Sequence, residues 1–494
     1  MAAATRRQAL PTRGARHATG PSAGAAGHVS ALGAEVSRSR RRFLGHIVAG
    51  VAGVAAGACG PAQGAPPAPP PSSLSGKIHL YVRPSQAELM GQTEVLFPTF
   101  KRVAPDVEVV HDVFAASNAD ESYSSKLLTM FAAGTPPDVW GFGQNYMGFW
   151  ARGMVADLTP LITRDKVDLT QFHTGLPEKF RVKGRYYGLP QLTTFGTLLF
   201  YNKPLFESAG LPFPTTDWDD RSWTLEAMVD LARKLTKNPG QPDAVYGLAY
   251  GPHAVMHAWL FGGNLFLPEH WTEGIAPHTL LDSNEAIEGH QFAQDLRWTY
   301  HVAPQPGVDP TDGVTFQNGR YAMVLDGGWN FWSYTLIKDF KWGAAAIPWR
   351  ATNKNVNYND FWELSSQSTN RDAAWAFIKH VTSAEVQREY SRLTGTPPTQ
   401  KSAMDVWYQR YDGLMTRAEL ERVTRGAIEP KRSEEDPGHV FIEWTKLSRF
   451  YSAEVNTPLQ NKAGAAKELL TRARPAYDAI AREIYDTWKG RTPS

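Results

Sequence analysis

Lys77-Ile78-His79-Leu80-Tyr81-Val82 alternates apolar and polar residues as a half-buried strand does, and about 25 residues on Val107-Glu108-Val109-Val110 does so again. Between them Glu88 to Val103 carries Leu89, Leu96 and Phe100 on one side of a helix. A parallel return needs a crossover of this length, so strands alternating with helices predict an α/β fold whose sheet is largely parallel.

The alternation continues. Glu121 to Ala133 is a helix with Tyr123, Leu127 and Phe131 four apart, closed by Gly134 and followed by Pro136, and Asp138-Val139-Trp140 is the next strand. Leu198 to Tyr201 is an apolar run suited to a buried strand. Thr224 to Leu235, Asn284 to Tyr300 and Arg371 to Val381 read as further helices. Thr382-Ser383-Ala384-Glu385 has the pattern of a capping box opening another. Ala465 to Trp488 is helical in period, and Pro475 predicts a kink or a break into two segments.

Charge is unevenly spread. Residues 1–58 hold eight Arg and one Glu, a balance of +7 in a chain of net +2, so the remainder is about −5. That excludes a basic nucleic-acid surface, and no RNA- or DNA-binding motif stands out. Within the basic part, Ser39-Arg40-Arg41-Arg42-Phe43-Leu44 looks like a twin-arginine export signal. The apolar run to Ala58 is too short to span a bilayer, against the roughly 20 residues a spanning helix needs. Ala56-Gly57-Ala58-Cys59 resembles a lipobox, although the usual Leu is replaced by Ala56. Cys59 is the single cysteine of the chain, so it cannot close a disulfide within it, and the resemblance implies a lipid anchor there. The organisation expected is 1–58 as signal with an N-terminal extension, 59–76 as a proline-rich tether, and the 418 residues from 77 to 494 as two or three domains.

Several stretches then carry a family resemblance: GTPPDVW (134–140), YYGLPQ (186–191) leading to LLFYNKPLFESAGL (198–211), FQNGRYAMVLDGGW (316–329), and DAAWAFIKHVTSAEVQ (372–387) with GTPP (395–398). In order and spacing they resemble extracellular solute-binding proteins of family 1, the maltose-binding-protein-like receptors of ATP-driven importers. The resemblance implies a two-lobed periplasmic-binding-protein-like fold with a hinge. Lobe one would be 77–190 plus 357–402 and lobe two 194–350 plus 403–494, with crossings near Leu189 to Phe195 and Ala351 to Tyr358. It also implies a monomer that binds a carbohydrate, most simply a neutral oligosaccharide, and delivers it to the transmembrane permease of an ABC transporter with a separate ATPase. The receptor would be exported and held at the membrane through Cys59, without cofactor, metal or catalysis of its own. A glycerol-phosphodiester or polyol ligand is the alternative within the family.

In open α/β sheets the ligand crevice lies beyond the carboxyl ends of the strands. That rule selects Arg83 and Gln86 after the first strand and Phe142, Gln144, Asn145 and Tyr146 after the third, loops the family also uses. Thr193, Thr194 and Phe195 follow at the first crossing. In the second half, Ala322 to Leu325 runs into Asp326, Gly327, Gly328 and Trp329, where two glycines admit close backbone approach and Trp329 matches the family's sugar-stacking aromatic. Trp259, Glu443 and Trp444 match approximate cleft positions. Where many members have Gly-Gly after the second crossing, this chain has Asn357 to Trp362, so Tyr358 and Asp360 are expected to narrow the pocket.

A glycoside hydrolase acting on polysaccharide is the competing class, with Asp217, Asp219 and Asp220 or Glu434, Glu435 and Asp436 as candidate acids. Both clusters read as solvated turns. There is no GxSxG elbow, no GxxxxGK[ST] loop and no HExxH, and His253 and His257, four apart, lack an acidic third ligand in register.

Overall fold

The computed structural model describes residues 74–82, 86–113, 119–141, 145–309 and 313–491. The expected signal, the anchor at Cys59 and the tether as far as residue 73 lie outside them, as do Arg83, Phe142 and Gln144, while Gly76, the last tether residue, already belongs to the first strand. Among the described residues no helix is long and apolar enough to cross a membrane.

Thirteen strands fall among them: β1 Gly76–Val82, β2 Val107–Val113, β3 Val139–Gly141, β4 Arg181–Val182, β5 Arg185–Tyr186, β6 Gly188–Thr193, β7 Thr197–Asn202, β8 Tyr246–Tyr250, β9 Tyr321–Gly327, β10 Trp342–Ala345, β11 Asn355–Asn357, β12 Asn359–Leu364 and β13 Ser433–Glu435. They make two main sheets, in the orders β2-β1-β3-β12-β6 and β10-β7-β9-β8, with small pairs β11-β13 and β4-β5. The architecture is mixed α/β and two-lobed, one main sheet per lobe.

The sheets are less parallel than expected. β1 is parallel to β2 and β3, but β12 is antiparallel to both β3 and β6. In the second sheet β8 and β9 are parallel while β7 runs against β9 and β10. The antiparallel members are strands at or beside the two passages between sheets. β6 passes to β7 through three residues, carrying the chain from one sheet to the other.

Those passages are held by side chains. Phe195 and Gly196 both take positive φ, 60° and 67°, turning the chain between β6 and β7. Asn355 accepts from Thr197 N at 2.8 Å, and its amide donates to Ala427 O at 3.2 Å, tying β11 to the start of β7. Asn359 donates to Glu435 Oε2 at 2.7 Å. Asn357 and Asn359 are buried and stiffen the crossing.

The local elements follow their codes with two corrections. Thr224 caps the helix Leu225–Leu235 and Ser283 caps Asn284–Trp298, each accepting from a backbone N–H three residues on. The helix Ala384–Thr394 is capped by Ser383, not Thr382, because the Thr382 hydroxyl bonds back to Ile378 O at 2.8 Å and finishes the preceding helix. The last helix runs unbroken over Ala466–Trp488 through Pro475. Thr471, whose carbonyl Pro475 leaves without its helical donor, lies on the exposed side, where water serves.

The high aromatic content is mostly core. Trp140, Trp259, Trp342, Trp375 and Trp407 are all fully buried. Trp407, Phe331, Trp342 and Tyr411 meet edge to face or tilted at 4.7 to 6.1 Å between centroids, the geometry the ring quadrupole favours.

Candidate functional site

β9 ends at Gly327, and the chain turns at once into the short helix Asn330–Tyr334 with Trp329 at its start. The turn is tight. Gly328 N donates to Gly196 O at 2.6 Å, and a Cβ on Gly328 would lie 1.7 Å from Thr194 O. No side chain fits there. A Cβ on Gly327 would overlap the Trp329 ring itself. The two glycines thus let the second sheet's edge close onto the crossing strand while Trp329 stays 48% exposed, one of few large apolar side chains so placed.

Trp329 opens a row of rings. Its centroid is 4.9 Å from that of Tyr358 at 72°, Tyr358 is 6.4 Å from His253, and His253 lies nearly parallel to Trp444 at 6.0 Å. Thr194 holds the Tyr358 segment by donating to its carbonyl at 3.0 Å. His253 caps the helix Ala254–Leu260, accepting from Val255 N through Nδ1 at 3.4 Å, which leaves Nε2–H toward Asp436 Oδ1 at 3.5 Å. Burial pushes the His253 pKa down against the pull of Asp436, so the ring is neutral at pH 7. Four rings with one exposed indole face, an imidazole and a carboxylate at the margin offer flat apolar surface beside hydrogen-bonding groups.

The two acids of this corner are Glu435, which ends β13, and Asp436, which follows it and caps the short helix Pro437–Val440. Asp436 turns to His253 and to Gly438 N, which it caps at 2.8 Å, while Glu435 turns to His439 Nδ1 at 2.5 Å and to Asn359. Burial lowers the His439 pKa, but the bond and charge of Glu435 outweigh it and hold it above the ordinary value. Glu435 and Asp436 are buried, a correction to the solvated turn that SEEDPG suggests. Glu435 and His439 also line a cavity of about 570 Å³ walled by Trp150, Trp271, Tyr485 and Trp488.

The remaining sequence-selected residues divide by burial. Asn145, at φ 60°, donates its N–H to Gly438 O at 2.8 Å and so joins the third-strand loop to the Asp436 turn. Tyr146 is buried and donates to Phe180 O at 3.1 Å. Thr193, Phe195 and Asp360 are buried at the crossing, Phe195 against Trp407. Trp259 is 1% exposed and packs on Trp271 in the core. Glu443 is committed to Arg152 at 3.3 Å, Lys446 at 2.7 Å and the Trp488 indole at 3.1 Å. Gln86 opens the helix Gln86–Gly91. The row therefore gathers Trp329, Tyr358 and Trp444 from the expected set, and adds His253 and Asp436. A signal for His253 existed, since Gly251-Pro252-His253 follows β8 where the carboxyl-end rule points.

Asp217, Asp219 and Asp220, which argued for hydrolysis, are structural. Asp217 and Asp220 cap turns through Asp219 N and Ser222 N, and Asp219 pairs with Arg432 at 2.9 Å and Lys431 at 3.2 Å. Among the described residues no group of three His, Cys, Asp or Glu is placed to hold a metal ion.

The family model for the bacterial extracellular solute-binding protein matches residues 83–388. The multiple sugar-binding protein of Streptococcus mutans is 21% identical over 338 residues, 64% of this chain and 76% of that one. The structure of an ABC substrate-binding protein from Listeria monocytogenes in complex with cycloalternan superposes with a TM-score of 0.67 at 22% identity, covering 82% of this chain and 99% of that one. The sugar-binding protein MalE of Xanthomonas citri gives 0.65 at 19% identity, covering 84% and 100%.

Proposed function

The chain belongs to the bacterial extracellular solute-binding protein family, and from that premise we propose that it is a receptor that captures a neutral saccharide between its lobes and delivers it to the permease of an ABC importer. The observation that carries this reading is the half-exposed Trp329 set against Tyr358 at the head of the ring row. An indole face packs on the CH face of a pyranose, while His253 and Asp436 meet hydroxyls. The row contains no arginine or lysine, which disfavours an anionic diester ligand. The sugar-binding names of the Streptococcus and Xanthomonas proteins, and the oligosaccharide in the Listeria complex, support the same class.

Lobe one would comprise 77–190 with 357–402, and lobe two 194–350 with 403–494. Contacts that both lobes make to the sugar exist in the closed state alone, so ligand shifts the population toward closure. Arg83, Gln86, Phe142 and Gln144 would contribute from lobe one. The twin-arginine pattern and Cys59 support export and a lipid tether.

The test is thermal unfolding of the full chain, followed by tryptophan fluorescence, against mono- and oligosaccharides, polyols and glycerol phosphodiesters. Ligand at 100 times its Kd adds about 2.7 kcal/mol, several degrees for a protein with lobes of this size. A selective shift with one saccharide, recovered intact, supports the reading. A shift with polyols or phosphodiesters and none with sugars overturns it.

A further inference from the structure

A separate cavity of about 220 Å³ lies beyond the end of β8. Its walls include Tyr250 and Gly251, His257 from the helix Ala254–Leu260, His290 and Arg297 from the helix Asn284–Trp298, and Asn456 from the π-helical turn Ser452–Asn456. No aspartate or glutamate lines it.

Arg297 is the unusual member. It is half-buried, and among the described residues its guanidinium has neither an ion pair nor a hydrogen bond, Nε being wholly enclosed without a partner. Burial disfavours its charge, and the group it senses most is the Tyr321 phenol. The usual role of a cation in a helix's last turn is to cap carbonyls, and those are already taken. Asp295 O accepts from Thr299 N and Tyr300 N, Leu296 O from Val302 N, and Arg297 O from the Gln305 amide at 3.0 Å. A cation withdrawn from water without a counter-charge is costly, so a negative group in the cavity would be favoured.

Two neutral groups point to the same chemistry. The Tyr250 hydroxyl and His257 Nδ1 have no partner, and both residues are 8% exposed. His290 is fixed: its Nδ1 donates to Ala286 O and its Nε2 accepts from Tyr451, both at 2.6 Å. Its ring lies 4.6 Å from that of His257, and burial keeps both uncharged. Arg297 is then the permanent charge in the wall.

We propose that this cavity binds a small oxyanion of the phosphate class, with Arg297 supplying the charge and Tyr250 and His257 the neutral hydrogen bonds. At ~30 Å³ per water the space holds about seven waters, so a phosphate fits with its hydration or with a short organic substituent. Gly251 and Pro252 lead from this cavity to His253, so an occupant braces the segment that carries the imidazole of the ring row.

The experiment measures binding of inorganic phosphate and of glycerol 3-phosphate to the full chain by calorimetry and thermal unfolding, at constant ionic strength against chloride. Wild type should bind saturably, R297Q more than tenfold more weakly, and Y250F about fivefold more weakly for one lost hydrogen bond. R297K, which keeps charge but loses the planar fork, should fall between. Tighter binding of inorganic phosphate assigns the site to the free ion, and tighter binding of glycerol 3-phosphate assigns it to an organic phosphate. Equal responses from wild type, R297Q and Y250F, or no saturable response to either probe, overturn the proposal. Saccharide shifts are read on the same variants, so a failed sugar reading remains distinguishable from a failed anion site.

Discussion

Trp329 and Tyr358 meet edge to face, 4.9 Å between centroids and 72° between planes, although one ends the second sheet's β9 turn and the other lies between β11 and β12. This contact fixes the indole plane while leaving 48% of Trp329 exposed. Because so much of the ring is already in water, Trp329→Ala should cost the fold less than about 1.5 kcal/mol. It removes the stacking surface, and saccharide affinity should fall at least tenfold. Thermal unfolding and a fluorescence titration on the same variant separate the two quantities, and an unchanged affinity would sink the assignment of Trp329.

Gly328→Ala tests the close approach behind that ring. The added carbon would stand 1.7 Å from Thr194 O, and neither strand can yield without breaking the Gly328 N to Gly196 O bond. A loss above about 2 kcal/mol is expected, as for other overpacked or strained sites. Gly307→Ala is the control, since nothing lies within 4 Å of its added carbon and the strain of a φ of 74° alone applies. Equal losses in urea unfolding would show that crowding at Gly328 is relieved elsewhere.

What the sequence revealed and hid follows the range of the interactions. Trp329 was readable because strand, two glycines and aromatic are contiguous, and the helix caps because they need only three or four residues. Asp436 was not. Its burial depends on β13 pairing with β11, with Asn357 opposite Glu435, and nothing local in SEEDPG distinguishes that from a solvated turn. His253 was weighed as half of a metal pair and set aside, and its place in the ring row was hidden because Trp444, its stacking partner, lies far along the chain. Trp259 stands at a family-like position but packs inward on Trp271, a choice made by tertiary contacts.

Glu363 yields a prediction in pH. It is fully buried on β12 opposite Trp140, and burial, only partly opposed by the Trp140 indole, holds its pKa well above the usual carboxylate range. A folded pKa raised above the unfolded 4.5 gives stability that is complete below 4.5 and lost as pH rises toward the folded value. The loss is about 1.4 kcal/mol per pH unit in that window. Glu363→Gln carries no such penalty, so it should match wild type near pH 4 and exceed it by more than about 1 kcal/mol at pH 7. Urea unfolding across that range is the measurement, and parallel curves for the two proteins would refute it.

His173 acts with the opposite sign. Burial pushes its pKa down to about 4, and the bond from its Nε2 to Pro398 O at 3.0 Å only partly opposes that. Its stability contribution is therefore complete above the unfolded value of 6.5 and is lost as pH falls from 6.5 toward 4. Over that window the neutral ring accounts for on the order of 3 kcal/mol of acid destabilisation. His173→Asn should be weaker than wild type at pH 7, where the Pro398 bond is lost, yet fall less steeply below pH 6.5, so the two stability curves converge. Carboxylates titrate alike in both proteins, which isolates the histidine in the difference.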